Sequence, residues 1–142
     1  MTIEEYPKEF LRGIPNKDFI SGGHVTANAF QFDDMGRQDG NKELSINWLD
    51  DAEAITLALN QRKENGKIQF SAGIARLDLD YVKLIFQSIS VGIFSYERSA
   101  LPDNQYHGNL LLGNCDKSTK QLIMNGLALA AGTNIIPQTN TE

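Results

Sequence analysis

The stretch from residue 43 to residue 74, ELSINWLDDAEAITLALNQRKENGKIQFSAGI, decides the fold class of this chain. Its first six residues alternate polar and apolar side chains, which predicts a strand with one buried face. Apolar side chains then recur at helical spacing over residues 51–64, and Asn65-Gly66 supplies a left-handed stop. Alternation returns over residues 67–74 and predicts a further strand.

Four more segments on either side of this stretch have strand character. Residues 24–32 carry β-branched and aromatic side chains and are predicted to pair with the strand at 43–48. Residues 91–96 and 106–112 predict an antiparallel pair joined by a polar turn. Residues 10–16 mix apolar side chains with turn formers, which indicates a loop or an edge strand.

Two further helices are predicted in the second half of the chain. Residues 79–89 place apolar side chains on one helical stripe, although a strand over 81–86 is an alternative. Ser118 and Gln121 form the pattern of a capping box for a final helix. Gly132 is expected to end that helix.

These elements predict one α+β domain over residues 1–142. No internal repeat or linker divides the chain, and 142 residues suffice for one core. The order of elements indicates a mainly antiparallel sheet of about five strands with two or three helices packed on one side. The ends, residues 1–9 and 137–142, are expected to be flexible. Trp48 continues the apolar phase of its strand and is expected to be buried.

Composition excludes several functional classes. Apolar residues make up 41% and charged residues 22% of the chain, as in a globular protein. The net charge is -5 and no run of three Lys or Arg occurs, so binding to nucleic acid is disfavoured. No apolar run approaches the ~20 residues that cross a bilayer, so no membrane segment is predicted.

The cysteine content and the first residues indicate a cytoplasmic protein. Cys115 stands alone, so neither an internal disulfide nor a structural zinc site can form, and a reducing compartment is expected. The opening residues are acidic and contain Pro7, which is the opposite of a secretory signal. No motif for a cofactor is present, since the glycines at 22 and 23 belong to no phosphate-binding pattern.

The densest polar segment of the chain is the turn over residues 101–109. It combines proline, amides, an acid and an imidazole ahead of an apolar strand. The binding candidates in this turn are Asp103, Asn104, Tyr106, His107 and Asn109. The alternative to a binding role is a structural one, in which Pro102 shapes the turn and His107 donates a hydrogen bond to a backbone carbonyl at the start of the strand.

The same turn supplies the candidates for catalysis. His107 would act as general acid or base and Asp103 would orient it. Arg12 or Arg76 would hold an anionic group, and Arg98 is a further basic side chain beside apolar residues. These residue types point to an anionic or nucleotide-like substrate.

A metal site and a cysteine nucleophile are both disfavoured. His24 and His107 are too few to hold a metal, and no carboxylate shares a helical face with either. Cys115 with His107 and Asp103 has the inventory of a nucleophile, base and orienting acid, but nothing in its neighbourhood in the sequence lowers the pKa of the thiol. An unreactive cysteine is the expected outcome.

Two motifs resemble those of a group of small bacterial proteins. FSAGIAR at residues 70–76 contains an A-G-x-x-R segment, and LPDNQYHG at residues 101–108 is similar to a P-x-x-P-x-H-A/G turn, with Gln105 in the place of the second proline. That group has no assigned reaction. The resemblance implies that the His107 turn is a shared feature of accessory proteins, and it implies no mechanism.

Two functions follow as hypotheses. The first is an accessory module that acts by binding a partner protein, because no catalytic constellation is complete. The alternative is a small enzyme acting on an anionic or nucleotide-like substrate, with His107 as general acid or base. The sequence leaves the oligomeric state open.

Overall fold

A computed structural model describes residues 6–89 and 94–140. Within these residues, six strands form one sheet in the order β6-β7-β4-β1-β5-β8, and every described pairing is antiparallel. The strands of this sheet are β1 (Glu9–Ile14), β4 (Lys42–Trp48), β5 (Gly73–Asp78), β6 (Phe94–Arg98), β7 (His107–Leu112) and β8 (Ile135–Ile136). A separate hairpin pairs β2 (Ile20–Ser21) with β3 (His24–Val25).

Three α-helices accompany the sheet in the described residues. They are α1 (Glu53–Asn60), α2 (Leu79–Ile89) and α3 (Lys117–Ala131). Two short 3-10 helices, Lys17–Phe19 and Ala27–Phe30, lie in the segment that follows β1. The predicted α+β class with a mainly antiparallel sheet is therefore confirmed, with six strands in the described sheet where about five were expected.

The sheet separates two clusters of buried side chains because successive strand residues point to opposite faces. Phe10 of β1 belongs to the larger cluster, which α2, α3 and the 3-10 helix Ala27–Phe30 cover. Leu11, the next residue, belongs to a smaller cluster with Ala54 and Ala58 of α1. The packing of helices on one face holds for α2 and α3, whereas α1 packs beside the opposite face.

β1 lies at the centre of the sheet, so the prediction of a loop or edge strand over residues 10–16 is wrong. It pairs with β5 from Glu9↔Asp78 to Ile14↔Gly73 and with β4 on its other side. Phe10 and Leu11 are both buried. A strand covered on both faces lacks the polar and apolar alternation of a half-exposed one, which is why the pattern was ambiguous.

Trp48 is fully buried, as predicted. Its indole Nε1 donates a hydrogen bond to the backbone oxygen of Glu97 on β6 at 3.1 Å. The rings of Tyr6 and Tyr96 pack against it with centroid separations of 4.8 and 5.7 Å. The aromatic cluster ties the β6 edge of the sheet to its centre.

Residues 24–32 do not form the predicted strand. Only His24–Val25 forms a strand, and the Ala27–Phe30 3-10 helix follows. β4 pairs instead with β1 and β7, and an isolated bridge joins Glu43 to Asp33, just after this segment. Ala29 and Phe30 are buried in the larger cluster. Their apolar side chains therefore pack a 3-10 helix against the core and do not belong to a strand of the sheet.

The helix predicted over residues 51–64 is shorter, because α1 ends at Asn60. The chain then forms a hairpin in which Arg62 bridges Ile68 and the amide of Gln69 donates to the oxygen of Gln61 at 2.9 Å. Asn65-Gly66 turns this hairpin and does not stop the helix. The strand predicted over 67–74 accordingly begins later, at β5.

The second half of the chain follows its prediction more closely. α2 forms as expected over residues 79–89, which rules out the alternative strand. β6 and β7 are antiparallel neighbours, as predicted, although residues 91–93 of the expected strand lie outside the described residues. α3 ends at Gly132, but its N-cap is Asp116 and not the Ser118 capping box.

The predicted flexible ends are described only in part. Residues 1–5 and 141–142 lie outside the described residues, while Glu9 belongs to β1. Near the other end, the Nε2 amide of Gln138 donates to the backbone oxygens of Leu59 and Phe70, both at 3.1 Å. None of the described helices is long and apolar enough to cross a membrane.

Replacing Gly108 by alanine is expected to destabilise the protein. A Cβ at this buried position of β7 would overlap the Trp48 indole nitrogen and the Glu97 backbone oxygen, which neighbouring strands hold in place. We expect a loss of about 1 to 3 kcal/mol in the free energy of unfolding, measured by urea denaturation. Ser95→Ala at an exposed site on β6 is the control and should change it by less than about 0.5 kcal/mol. An unchanged midpoint for Gly108→Ala would contradict this packing.

The stabilisation of α3 by Asp116 is expected to depend on pH. The amide of Thr119 donates to Asp116 Oδ1 at 2.8 Å and lowers the pKa of this carboxyl below its ordinary value of 3.8. A lowered pKa gives stability that is present above the ordinary value and lost as the pH falls through the folded value. Asp116→Ala should therefore melt below the wild type at pH 7, and the difference should shrink below pH 3.8. A difference that is constant with pH would contradict a charged cap.

Candidate functional site

A polar cleft of about 320 Å³ opens where β1 and β4 move apart. Its polar lining residues are Arg12, Ser45, Asn47, Gln61, Gln69, Asn104 and His107, and we call it the amide cleft. Two other parts of the chain surround the two strands here: the 61–69 hairpin, continued by Phe70, and the turn that precedes β7. Residues distant in sequence thus share one concave surface.

The opening between the two strands has a definite cause. Pairing of β1 with β4 consists of Phe10↔Trp48 and Leu11↔Asn47 and goes no further. Beyond that point Arg12 Nη1 donates to the backbone oxygen of Ser45 at 2.8 Å. The guanidinium therefore satisfies a strand carbonyl that a backbone amide would otherwise bind, and we call this separation the strand gap.

Arg12 forms no salt bridge with a described carboxylate, although the negative charge of Asp33 favours its cationic form. Among the described residues no acidic oxygen lies within salt-bridge distance of it, and its second hydrogen bond runs from Nε to the backbone oxygen of Ala29 at 2.9 Å. Burial lowers the pKa of Arg12 to about 10, which leaves the group charged at neutral pH. A guanidinium has five N–H donors, so donors remain beyond these two bonds.

His107 lines the amide cleft from the first position of β7. Its Nδ1 lies 2.8 Å from the backbone oxygen of Ser99. Because a carbonyl only accepts, the neutral imidazole carries its proton on Nδ1, and Nε2 is left as an acceptor. The backbone hydrogen bond expected from the structural interpretation of His107 is therefore present.

Asn104 fastens the preceding turn to the sheet. Its Nδ2 donates to Asn47 Oδ1 at 2.7 Å, and its Oδ1 accepts from the amide of Tyr106 at 3.1 Å. Leu101 and Asn104 also exchange two backbone hydrogen bonds across the turn that contains Pro102. Asn104 is buried, so its role in this arrangement is to position the turn and to define one wall of the cleft.

Tyr106 connects the same turn to α1. Its side chain is buried, and its hydroxyl donates to Asp51 Oδ1 at 2.8 Å. This hydrogen bond raises the pKa of Tyr106 because it is made by the protonated phenol. Asp51 also accepts from the amide of Glu53 at 3.0 Å at the beginning of α1, so one carboxylate fixes two elements.

A wider cleft of about 800 Å³ adjoins the amide cleft. The two share Gln61 and Gln69, which stand side by side on the hairpin. Its other polar lining residues are Glu53, Thr56, Asn60, Arg62, Asp103, Gln105 and Tyr106, and we call it the outer cleft. Asp103 therefore lies on the surface of the outer cleft and does not orient His107, whose Nδ1–H donates to the backbone oxygen of Ser99.

Several other candidates from the sequence lie elsewhere. Arg76 makes a two-pronged ion pair with Glu9, whose pKa this hydrogen bonding lowers. Arg98 pairs with Asp50 at 2.7 Å. His24 is exposed on the β2–β3 hairpin. Of the three arginines, Arg12 alone lines the cleft that contains His107.

Two more sequence candidates stand outside both clefts. Asn109 is buried on β7, and its Oδ1 has no hydrogen-bond partner among the described residues. Cys115 is half-buried and lines a separate cavity of about 60 Å³ with Lys42 and Lys120. His107 and Asp103 do not line that cavity, so the nucleophile, base and acid suggested for Cys115 share no common surface.

Of the lining residues of the amide cleft, sequence reasoning named only Arg12, Asn104 and His107 as candidates, and it missed Asn47, Gln61, Gln69 and Phe70 among others. Asn47 stands on the polar face of an alternating strand, where solvent exposure was the natural expectation. Gln61 and Gln69 were assigned to a helix and a strand, and only the hairpin between them brings both to one place. The Asn65-Gly66 pair was the available signal, because this dipeptide is typical of hairpins.

Comparison with known proteins adds no further assignment. No family model, no curated protein and no solved structure matches the chain. Within the described residues, no group of three or more His, Cys, Asp or Glu side chains is placed to hold a metal ion. The function must therefore be argued from the two clefts themselves.

Replacing His107 by alanine is expected to lower stability. The change leaves the Ser99 backbone oxygen without its imidazole donor, and we expect a loss of about 1 to 3 kcal/mol in the free energy of unfolding by urea denaturation. Asp103→Ala, an exposed change on the same turn, is the control and should have an effect below about 0.5 kcal/mol. Equal stability of wild type and His107→Ala would argue against the hydrogen bond.

Proposed function

We propose that the chain binds a small anionic molecule in the amide cleft, with Arg12 as the group that holds the charge. The observation that carries this proposal is that Arg12, a residue lining the cleft, forms no salt bridge with any described carboxylate, although the charge of Asp33 favours its cationic form. A partly desolvated charge is costly unless it is paired. A carboxylate or phosphate oxygen would complete its hydrogen bonding.

The remaining lining residues suit a ligand with both polar and flat parts. Amide side chains donate and accept, so Gln61, Gln69 and Asn47 can follow hydroxyl or amide groups of a ligand. The Phe70 ring lies against Gly13 and offers an apolar surface beside them. Small-molecule sites combine these features: a concave shape, some apolar surface and a few directed polar groups.

His107 extends the proposal towards catalysis on an anionic or nucleotide-like substrate. With Nδ1 bonded to Ser99, its Nε2 can accept a proton from a bound hydroxyl or amine. The Ser99 backbone oxygen, and not Asp103 as expected, would orient the His107 ring. A general base held by a carbonyl keeps its tautomer and its ring orientation, and both are needed for proton transfer.

Anion binding is tested by titrating the ¹⁵N-labelled protein with inorganic phosphate and with acetate. Saturable shifts of amides around the cleft are expected for the wild type. Arg12→Met should weaken binding by about ten- to a hundredfold, since a charge-assisted hydrogen bond contributes about 1.5 to 3 kcal/mol. Arg76→Met removes the same charge from the ion pair with Glu9 and should leave the affinity unchanged.

Arg12→Lys separates charge from geometry in the same titration. It keeps the positive charge but lacks the planar fork of donors, so intermediate affinity is expected. Each variant is first checked for a folded amide spectrum, because Arg12 also bonds Ala29 and Ser45. Equal affinity of folded wild type, Arg12→Met and Arg76→Met would overturn the proposal.

Binding of a partner protein, the first hypothesis from the sequence, becomes the second candidate function. The observation in its favour is a set of large exposed apolar side chains on the outer helices: Leu84 of α2 is 65% and Leu129 of α3 is 70% exposed. Exposed apolar side chains mark interaction surfaces when they are contiguous. An accessory module could combine such a surface with a ligand cleft on the opposite face of the sheet.

A further inference from the structure

The two clefts differ in the sign of their charged groups. Arg12 lines the amide cleft. The outer cleft contains two carboxylates, Glu53 and Asp103, and neither has a cationic partner within salt-bridge distance in the described part of the chain. Arg62 also lines the outer cleft, but its Nη1 donates to the backbone oxygen of Gly66.

Amide side chains occupy the surface between the two charged ends. Gln61 and Gln69 line both clefts, so a ligand that extends from one into the other must pass over them. Gln105 and Asn60 add further amide side chains to the lining of the outer cleft. Each amide offers an oxygen acceptor and two N–H donors, which matches the alternating C=O and N–H groups of a peptide backbone.

We propose that the joined clefts bind a short zwitterionic peptide, with its terminal carboxylate on Arg12 and its amino group beside Glu53 and Asp103. This inference rests on the proposed anion binding and names the ligand class for the same site. The combined cleft is wide enough for several residues, since the two parts have volumes of about 320 and 800 Å³. Each residue of an extended peptide adds about 3.3 Å of length.

The contributions of the two ends are expected to be unequal. Glu53 and Asp103 are exposed, so their attraction for an ammonium group is screened and modest. Arg12 is less exposed, and a guanidinium has N–H donors beyond the two that bond Ser45 and Ala29, which a ligand carboxylate would accept. Removal of the ligand carboxylate should therefore weaken binding more than acetylation of its amino group.

The test is a titration of the ¹⁵N-labelled full chain with three probes that differ only at their ends: tetraglycine, N-acetyl-tetraglycine and tetraglycine amide. We expect tetraglycine to bind about two- to fivefold more tightly than its acetylated form, as an exposed ion pair gives. The C-terminal amide should bind at least about tenfold more weakly than tetraglycine.

Variants with matched controls test which protein side chains bind each end of the peptide. The double change Glu53→Gln and Asp103→Asn should abolish the preference for the free amine while binding of N-acetyl-tetraglycine persists. Its control removes two exposed acidic charges that line neither cleft, by Glu64→Gln and Asp80→Asn, and should keep the preference. Arg12→Met should weaken all probes that carry a carboxylate.

The outcomes distinguish the two proposals. If phosphate and acetate bind through Arg12 but tetraglycine binds no better than its acetylated form, the peptide inference is wrong and anion binding stands. Retention of the preference in the Glu53→Gln and Asp103→Asn double variant would also overturn the inference. If neither the inorganic anion nor any peptide binds, both proposals fall.

Discussion

The hydrogen bond from Arg12 to the Ser45 backbone oxygen is the interaction on which the site depends. Two adjacent central strands of a sheet normally continue their ladder, because each unpaired backbone group inside a protein carries a free-energy cost. Here the ladder between β1 and β4 stops at Leu11↔Asn47, and the guanidinium satisfies the carbonyl beyond it. The strand gap is thereby stabilised without a backbone partner. The residue that satisfies this carbonyl also lines the amide cleft, so the end of the ladder and the cleft have one side chain in common.

The two faces of the sheet differ in their packing. Phe10, Trp48 and their neighbours form the larger core under α2 and α3. The opposite face is only partly covered by α1, and polar strand residues such as Asn47 and His107 project from it. Asn104 and Tyr106 then close the turn over this face through Asn47 and Asp51. A rigid apolar layer thus supports a polar layer whose side chains are held by hydrogen bonds, which is a suitable arrangement for ligand recognition.

Local patterns predicted the fold well where the periodicity was strong, as in α2 and in the β6–β7 pair. They failed where tertiary packing decided the outcome. The sequence of β1 has no regular alternation because the strand is buried on both faces. The sequence of the 61–69 hairpin resembles the end of a helix followed by the start of a strand. His107 and Arg12 were both recognised as candidates from their residue types. Their common cleft was not predicted, since it depends on a strand register and on a hairpin whose local signal, Asn65-Gly66, was taken for the end of a helix.

The amide cleft is assembled from segments that are far apart in the chain: Arg12, Asn47, the 61–69 hairpin and the turn before β7. It exists only when all of them are in their native places, so the unfolded chain offers a ligand no comparable site. By mass action, a ligand that binds there stabilises the whole domain, and a hundredfold excess over its dissociation constant adds about 2.7 kcal/mol. For a domain of this size, that is a large fraction of the usual stability of about 5 to 15 kcal/mol. The supply of ligand would then set the lifetime of the protein as well as the occupancy of the cleft.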